Sequence, residues 1–94
     1  MEIRSITVIG AGTMGNGIAH TFAQFGFNIT LNDIKQEFID RGLSTISGNL
    51  DRQIKKGTLT AEQKQATLAH IHTTADLVKA VSAADLVVEA ATEN

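Results

Sequence analysis

Ile3-Arg4-Ser5-Ile6-Thr7-Val8-Ile9-Gly10-Ala11-Gly12-Thr13-Met14-Gly15-Asn16-Gly17 is the stretch that decides the fold. A short apolar run of strand character passes directly into Gly10-x-Gly12-x-x-Gly15, and a helical pattern follows. Eighteen residues after Gly15 stands Asp33, which closes a second strand pattern. A glycine triplet alone is weak evidence. Strand, glycine turn, helix, strand and terminal acid in that order make the arrangement that holds a dinucleotide.

Each glycine answers a steric demand. Gly10 turns the chain sharply out of the first strand, Gly12 leaves the backbone bare for a pyrophosphate, and Gly15 lets the helix lie close on the strand. The phosphates then meet the helix N-terminus, with its unpaired N–H groups and positive dipole end. Gly10, Ala11, Gly12, Thr13, Met14 and Gly15 are therefore the candidate pyrophosphate cradle. Gly17 lies in the first helical turns at a cost of about 1 kcal/mol against alanine, and close packing is expected to require it. The competing reading is that these glycines only make a tight strand-to-helix turn.

Asp33 completes the signal. Its carboxylate can accept hydrogen bonds from the adenosine ribose hydroxyls while repelling a 2′-phosphate, which favours NAD over NADP. Asp33-Ile34-Lys35-Gln36 also reads as a capping box for the next helix, and the two roles are compatible. Lys35 counts the other way, because a nearby cation partly accommodates a 2′-phosphate.

Composition narrows the remaining classes. The chain has 94 residues, enough for one small domain, and 43% of them are hydrophobic. A net charge of −2 and the lack of any basic run argue against a nucleic-acid or membrane surface. With no cysteine, neither a disulfide nor a thiolate nucleophile or metal site can form. No apolar run approaches the roughly 20 residues of a membrane span. The first strand begins within three residues, so no signal segment is expected and a cytoplasmic location is the default. Phe22, Phe25, Phe27 and Phe38 are the only aromatics, and core packing is their expected role.

Hydrophobic periodicity predicts strands over residues 4–9, 27–32, 71–73 and 85–90. It predicts helices over 13–25, 35–56, 60–69 and, capped by Thr74, up to residue 81. Met14, Ile18, Phe22 and Phe25, with Ala19 and Ala23 beside them, form the apolar stripe of the first helix. Phe38, Ile39, Leu43, Ile46, Leu50 and Ile54 form that of the second, with Lys35, Glu37, Asp40, Arg41, Arg52 and Lys55 on a solvated face. That helix is long for a crossover and is expected to project beyond the sheet. Thr60-Ala61-Glu62-Gln63 is a further capping box. The β-α-β-α-α-β-α-β alternation implies an α/β, Rossmann-like three-layer fold. Its partial parallel sheet would have the order 3-2-1-4, and residues 1–94 would form one half-domain. Gly10 and Ala90 then meet at the switch point between the first and last strands, where ligands bind.

Gly10-Ala11-Gly12-Thr13-Met14-Gly15-Asn16-Gly17-Ile18-Ala19 resembles the opening of the 3-hydroxyacyl-CoA dehydrogenases, especially the bacterial 3-hydroxybutyryl-CoA dehydrogenases. The likeness continues through Asn32-Asp33-Ile34, Lys55-Lys56-Gly57 and Thr73-Thr74-Ala75-Asp76-Leu77. It closes on Ala84-Asp85-Leu86-Val87-Val88-Glu89-Ala90-Ala91-Thr92-Glu93-Asn94. The resemblance implies an NAD-dependent oxidoreductase of fatty-acid and butanoate metabolism. Such enzymes interconvert 3-hydroxyacyl-CoA and 3-oxoacyl-CoA by hydride transfer. By position, Gly10 to Gly15 would hold the pyrophosphate, Asp33 the adenosine ribose, and Ala90 and Glu93 the nicotinamide-side ribose. The long second helix would form part of an arm over the CoA substrate, with Arg52, Lys55 and Lys56 available to its phosphates.

Enzymes of that family are about three times as long. Their catalytic His, in a Ser-His-Phe-Phe-Asn-Pro-like segment, and the Glu orienting it have no counterpart here. Neither have their helical substrate and dimerisation domain and its substrate-binding residues. His20, His70 and His72 are poorly placed to act as a general base. Glu89, inside an apolar strand, is expected to have a hydrogen-bond partner or an exposed position. No catalytic or metal-binding residue is assigned, and turnover by this chain alone is not expected. Three alternatives stay open: a stand-alone dinucleotide-binding module, a fragment that only folds and assembles, and a dehydrogenase of free 3-hydroxyacids. The last strand, Leu86-Val87-Val88, is an apolar edge, so self-association through it or by element exchange is expected.

Overall fold

A computed structural model describes residues 3–82 and 84–90. The elements run β1 (Ser5–Ile9), α1 (Thr13–Gln24), β2 (Asn28–Asn32), α2 (Gln36–Lys55), α3 (Ala61–Ala69), β3 (Ile71–Thr74), α4 (Leu77–Ser82) and β4 (Leu86–Glu89). All strand pairings are parallel, and the sheet order is β3-β2-β1-β4. Element types and order agree with the periodicity, and boundaries differ by no more than two residues, at frayed ends.

Alternation along the strands gives the sheet two unlike faces. Ile6, Val8, Ile29 and Leu31 point to one side, each no more than 2% exposed. There they join Ala19 and Ala23 of α1 and Ile39, Ile46 and Leu50 of α2 in one core. The opposite positions, Ser5, Thr7, Thr30 and Asn32, carry hydroxyls and amides. Right-handed crossovers put α4, which connects β3 back to β4, on this polar side. It is anchored there by the Thr7 hydroxyl, which donates to the Ala80 carbonyl. Asn32 Nδ2 similarly donates to the Thr74 carbonyl at 2.9 Å.

α1 packs differently from the stripe its large residues suggest. Its buried residues are Gly15, Asn16, Ala19 and Ala23. Met14 is 46% and Phe25 77% exposed, so Phe25 is not a core residue. Small side chains let the helix axis approach the sheet, and the bulkier Ile18 and Phe22 are pushed to the flank of the core. Phe22 meets Phe27 edge-on there, with ring centroids 5.7 Å apart. Gly17 lies on the exposed side, and a Cβ there would meet nothing within 4 Å. Packing therefore does not require this glycine.

α2 follows its stripe: Ile39, Gly42, Ile46 and Leu50 are buried, while Phe38, Leu43 and Ile54 flank the core. Its predicted polar face is exposed throughout. At 20 residues it is about 30 Å long against about 17 Å for a five-residue strand, so it overhangs the sheet. α3 opens with the complete Thr60–Gln63 capping box: Gln63 N donates to Thr60 Oγ1 at 3.1 Å and Thr60 N to Gln63 Oε1 at 2.9 Å. Two other caps differ from expectation. α2 begins after Lys35 with no side-chain cap, because the Asp33 carboxylate is committed elsewhere. At α4 the cap is Asp76, whose Oδ1 accepts from Lys79 N at 3.2 Å, while Thr74, two residues too early, accepts from Asp76 N at 3.1 Å.

Asp85 closes the sheet at the other end. Its Oδ2 accepts from the backbone N–H of Arg4 at 2.9 Å and of Ser5 at 3.0 Å, tying the entry of β1 to that of β4. Those two hydrogen bonds, Arg4 first, hold its carboxyl below the ordinary value of 3.8.

Candidate functional site

The carboxyl ends of β1, β2 and β4 frame a cleft of about 450 Å³. Its floor is the turn from β1 into α1. Gly10 leaves the strand at φ 102°, a conformation that side chains rarely tolerate. Gly10 N donates to the Asn32 carbonyl at 2.7 Å, which docks the turn against the end of β2.

Two glycines press on this turn from opposite sides. A Cβ on Gly15 would come within 1.7 Å of the Gly10 carbonyl oxygen. A Cβ on Gly42 of α2 would reach 2.9 Å from the Ala11 carbonyl oxygen and 3.6 Å from Asn16 Cβ. Asn16, itself only 8% exposed, donates from Nδ2 to the Gly12 carbonyl at 2.8 Å. The turn is thus fixed before any ligand arrives. Periodicity did not point to Asn16 or Gly42, although a glycine inside so regular an amphipathic helix is the kind of signal that marks close approach.

Asp33 lies at the end of β2, half-buried on the cleft wall. Its Oδ2 accepts from Ala11 N at 3.0 Å, and its Oδ1 from Lys35 N at 3.3 Å. The acid is therefore a strut between β2 and the glycine turn. The Ala11 amide, one of the candidate phosphate donors, is already used by it. Gly12 and Thr13 amides have no acceptor among the described residues. α1 carries no acidic residue in its first turn, so nothing there opposes an anion.

Of the predicted site residues, Gly10, Ala11, Gly12, Asp33 and Ala90 line the cleft together. Ala90 is held at its rim by its N–H, which donates to the Ile9 carbonyl at 2.8 Å. Thr13 and Met14 begin α1 just beyond, and Gly15 acts from behind as the contact that lets α1 close on the turn. Glu93 lies outside the described residues. Sequence reasoning missed the outer wall, made of Ile34, Phe38 and Arg41. Ile34 is 82% exposed, an apolar flank beside the acid that suits a flat ring. Its signal was an isoleucine placed where no stripe accounts for it.

The other candidates do not line the cleft. His70 precedes the edge strand β3, with Nδ1 3.2 Å from Asn28 Oδ1, and His72 is exposed on that strand. Glu89 is exposed on β4. Among the described residues no group of His, Cys, Asp and Glu could hold a metal ion, and no helix is long and apolar enough to cross a membrane.

Comparison with known proteins agrees with this geometry. Residues 5–94 match the family described as 3-hydroxyacyl-CoA dehydrogenase, NAD binding domain. The chain is 44% identical over 91 residues to 3-hydroxybutyryl-CoA dehydrogenase of Bradyrhizobium diazoefficiens, covering 97% of this chain and 31% of that protein. It is 48% identical over 87 residues to a probable 3-hydroxybutyryl-CoA dehydrogenase of Deinococcus radiodurans, covering 93% and 31%. The crystal structure of (S)-3-hydroxybutyryl-CoA dehydrogenase from Ralstonia eutropha superposes with a TM-score of 0.94 at 43% identity, covering 99% of this chain and 32% of that one. The chain thus spans about 31% of the length of these curated relatives.

Proposed function

This chain belongs to the 3-hydroxyacyl-CoA dehydrogenase family through its NAD-binding domain, and from that membership we propose that it is the coenzyme-holding part of an enzyme that interconverts 3-hydroxyacyl-CoA and 3-oxoacyl-CoA. A 3-hydroxybutyryl-CoA substrate is the form its relatives' names favour. The observation that carries the reading is the rigid glycine turn with Asp33 bonded to it across a cleft at the sheet's switch point.

The residues fit the adenosine diphosphate half of NAD. Gly12 and Thr13 amides at the start of α1 face the pyrophosphate, as the open amides of a helix start do. Bare Gly12 lets the phosphates approach, while Asp33 accepts from the ribose hydroxyls with lone pairs not used by Ala11 and Lys35. Ile34 flanks the adenine, and Ala90 with Glu93 serves the nicotinamide-side ribose. The bound coenzyme supplies the hydride acceptor or donor. Orienting the acyl-CoA and moving the hydroxyl proton fall to residues outside these 94, and the chain alone has no turnover. β4 ends the described sheet with Leu86 40% and Val87 43% exposed, which supports self-association along that strand.

Calorimetric titration with ADP-ribose and NAD+ tests the reading, with an acetoacetyl-CoA and NADH turnover assay beside it. Binding of both nucleotides without turnover is the expected result. Failure to bind ADP-ribose refutes coenzyme holding, and turnover at the rate of a complete dehydrogenase refutes the division of labour.

A further inference from the structure

Asp33 does not face the cleft alone. Lys35 Nζ stands 5.3 Å and Arg41 Cζ 5.7 Å from the centroid of the Phe38 ring, and Phe38 and Arg41 line the same cleft as Asp33. Neither cation is paired with a carboxylate among the described residues. Both oxygens of Asp33, by contrast, accept backbone N–H groups. The ribose end of the cleft therefore presents one acid, already bonded to main chain, and one unpaired cation, Arg41, on the Phe38 ring, with Lys35 against the same ring just outside the lining. A carboxylate at this position turns away a 2′-phosphate, and a neighbouring arginine accommodates one. A guanidinium resting on a ring keeps its N–H edges free for forked bonding to a phosphate.

Resting on the dinucleotide reading above, we propose that Arg41, helped by Lys35, relaxes coenzyme selectivity, so that NADP(H) is bound as a second, weaker ligand through its 2′-phosphate. Arg41 is then a specificity-determining residue, and the balance between it and Asp33 sets the ratio of the two affinities. Both cations are exposed. Their contribution must therefore fade as salt screens exposed charges beyond about 10 Å at 0.1 M ionic strength.

The test is calorimetry on the full chain with NAD+, NADP+ and ADP-ribose, at low and high salt, for the wild type, Arg41→Gln and Arg41→Lys. NADP+ should bind the wild type within roughly a hundredfold of NAD+, with the gap widening as salt rises. Arg41→Gln should widen the ratio by about tenfold or more, the scale of one lost charge-assisted hydrogen bond, and Arg41→Lys should recover part of it. Lys35→Gln, read the same way, serves if circular dichroism shows Arg41→Gln misfolded. Saturation by NAD+ with no NADP+ binding, a salt-independent ratio, or equal weakening of both ligands by Arg41→Gln each overturns the inference alone. Loss of ADP-ribose and NAD+ binding in the wild type overturns the dinucleotide reading and this inference with it.

Discussion

Replacing Gly15 by alanine tests the steric basis of the site. The added Cβ would lie 1.7 Å from the Gly10 carbonyl oxygen, whereas real Cβ atoms essentially never come closer than 3.0 Å. The obstacle is backbone, held by the Gly10 N–H bond to Asn32, and cannot swing aside as a side chain would. Either α1 retreats by at least about 1.3 Å or the turn leaves β2. Overpacking of this kind costs about 1–3 kcal/mol. The shift would also strain the Asn16–Gly12 and Ala11–Asp33 bonds, each worth about 1 kcal/mol. A total loss of about 3 kcal/mol is a large share of the 5–15 kcal/mol typical of a folded domain, yet leaves the chain folded. Urea denaturation followed by circular dichroism reads the stability, and ADP-ribose titration reads the site. Affinity should fall by about tenfold or more, since each 1.4 kcal/mol is tenfold and at least one phosphate-facing amide moves. Gly17→Ala is the internal control. Its Cβ enters open space on the same helix, so it should stabilise by about 0.5–1 kcal/mol through helix propensity. Wild-type stability and binding in Gly15→Ala would refute the reasoning.

Asp33→Ala should destabilise the ligand-free chain by about 1–3 kcal/mol in urea, because it orphans the Ala11 amide in a residue only 3% exposed. Asp33→Asn, which keeps an acceptor oxygen, should retain most of that stability. Asp85 links stability to pH. Its folded carboxyl is depressed below 3.8, so its contribution is present above that value and is lost as pH falls through the lower, folded one. Asp85→Asn should flatten the acid limb of a pH-dependent thermal unfolding curve below about pH 4, and an unchanged limb would dismiss the clasp between β1 and β4.

Local signals carried the element order and the strand order, because glycine turns, caps and apolar periods are short-range and chirality leaves one way to wind them. The glycine turn and Asp33 were legible for the same reason. Where the reading of α1 erred, it ranked residues by hydrophobicity; Ala19 and Ala23 won the interface because a parallel sheet rewards close approach. Asp33 was legible as an acid at the right place but not as a strut, since its partner Ala11 is 22 residues away. Gly42 and the Phe38–Arg41 wall belong to the site only because α2 folds back across the turn, and spacing within α2 records nothing of that. The Thr74 cap failed by two residues for want of information on where the helix meets Thr7.

The polar side of the sheet has a consequence for how the native state opens. α4 has only six residues, too few to persist as a helix on its own, and Val78 and Leu77 leave 74% and 49% of their surfaces in water. The directional bond from Thr7, rather than greasy contact, keeps it seated, and the Asp76 cap only closes its own first turn. Peeling it away uncovers little apolar area, so deuterium should enter the amides of residues 79–82 through a shallow local excursion while those of β1 and β2 wait for global unfolding.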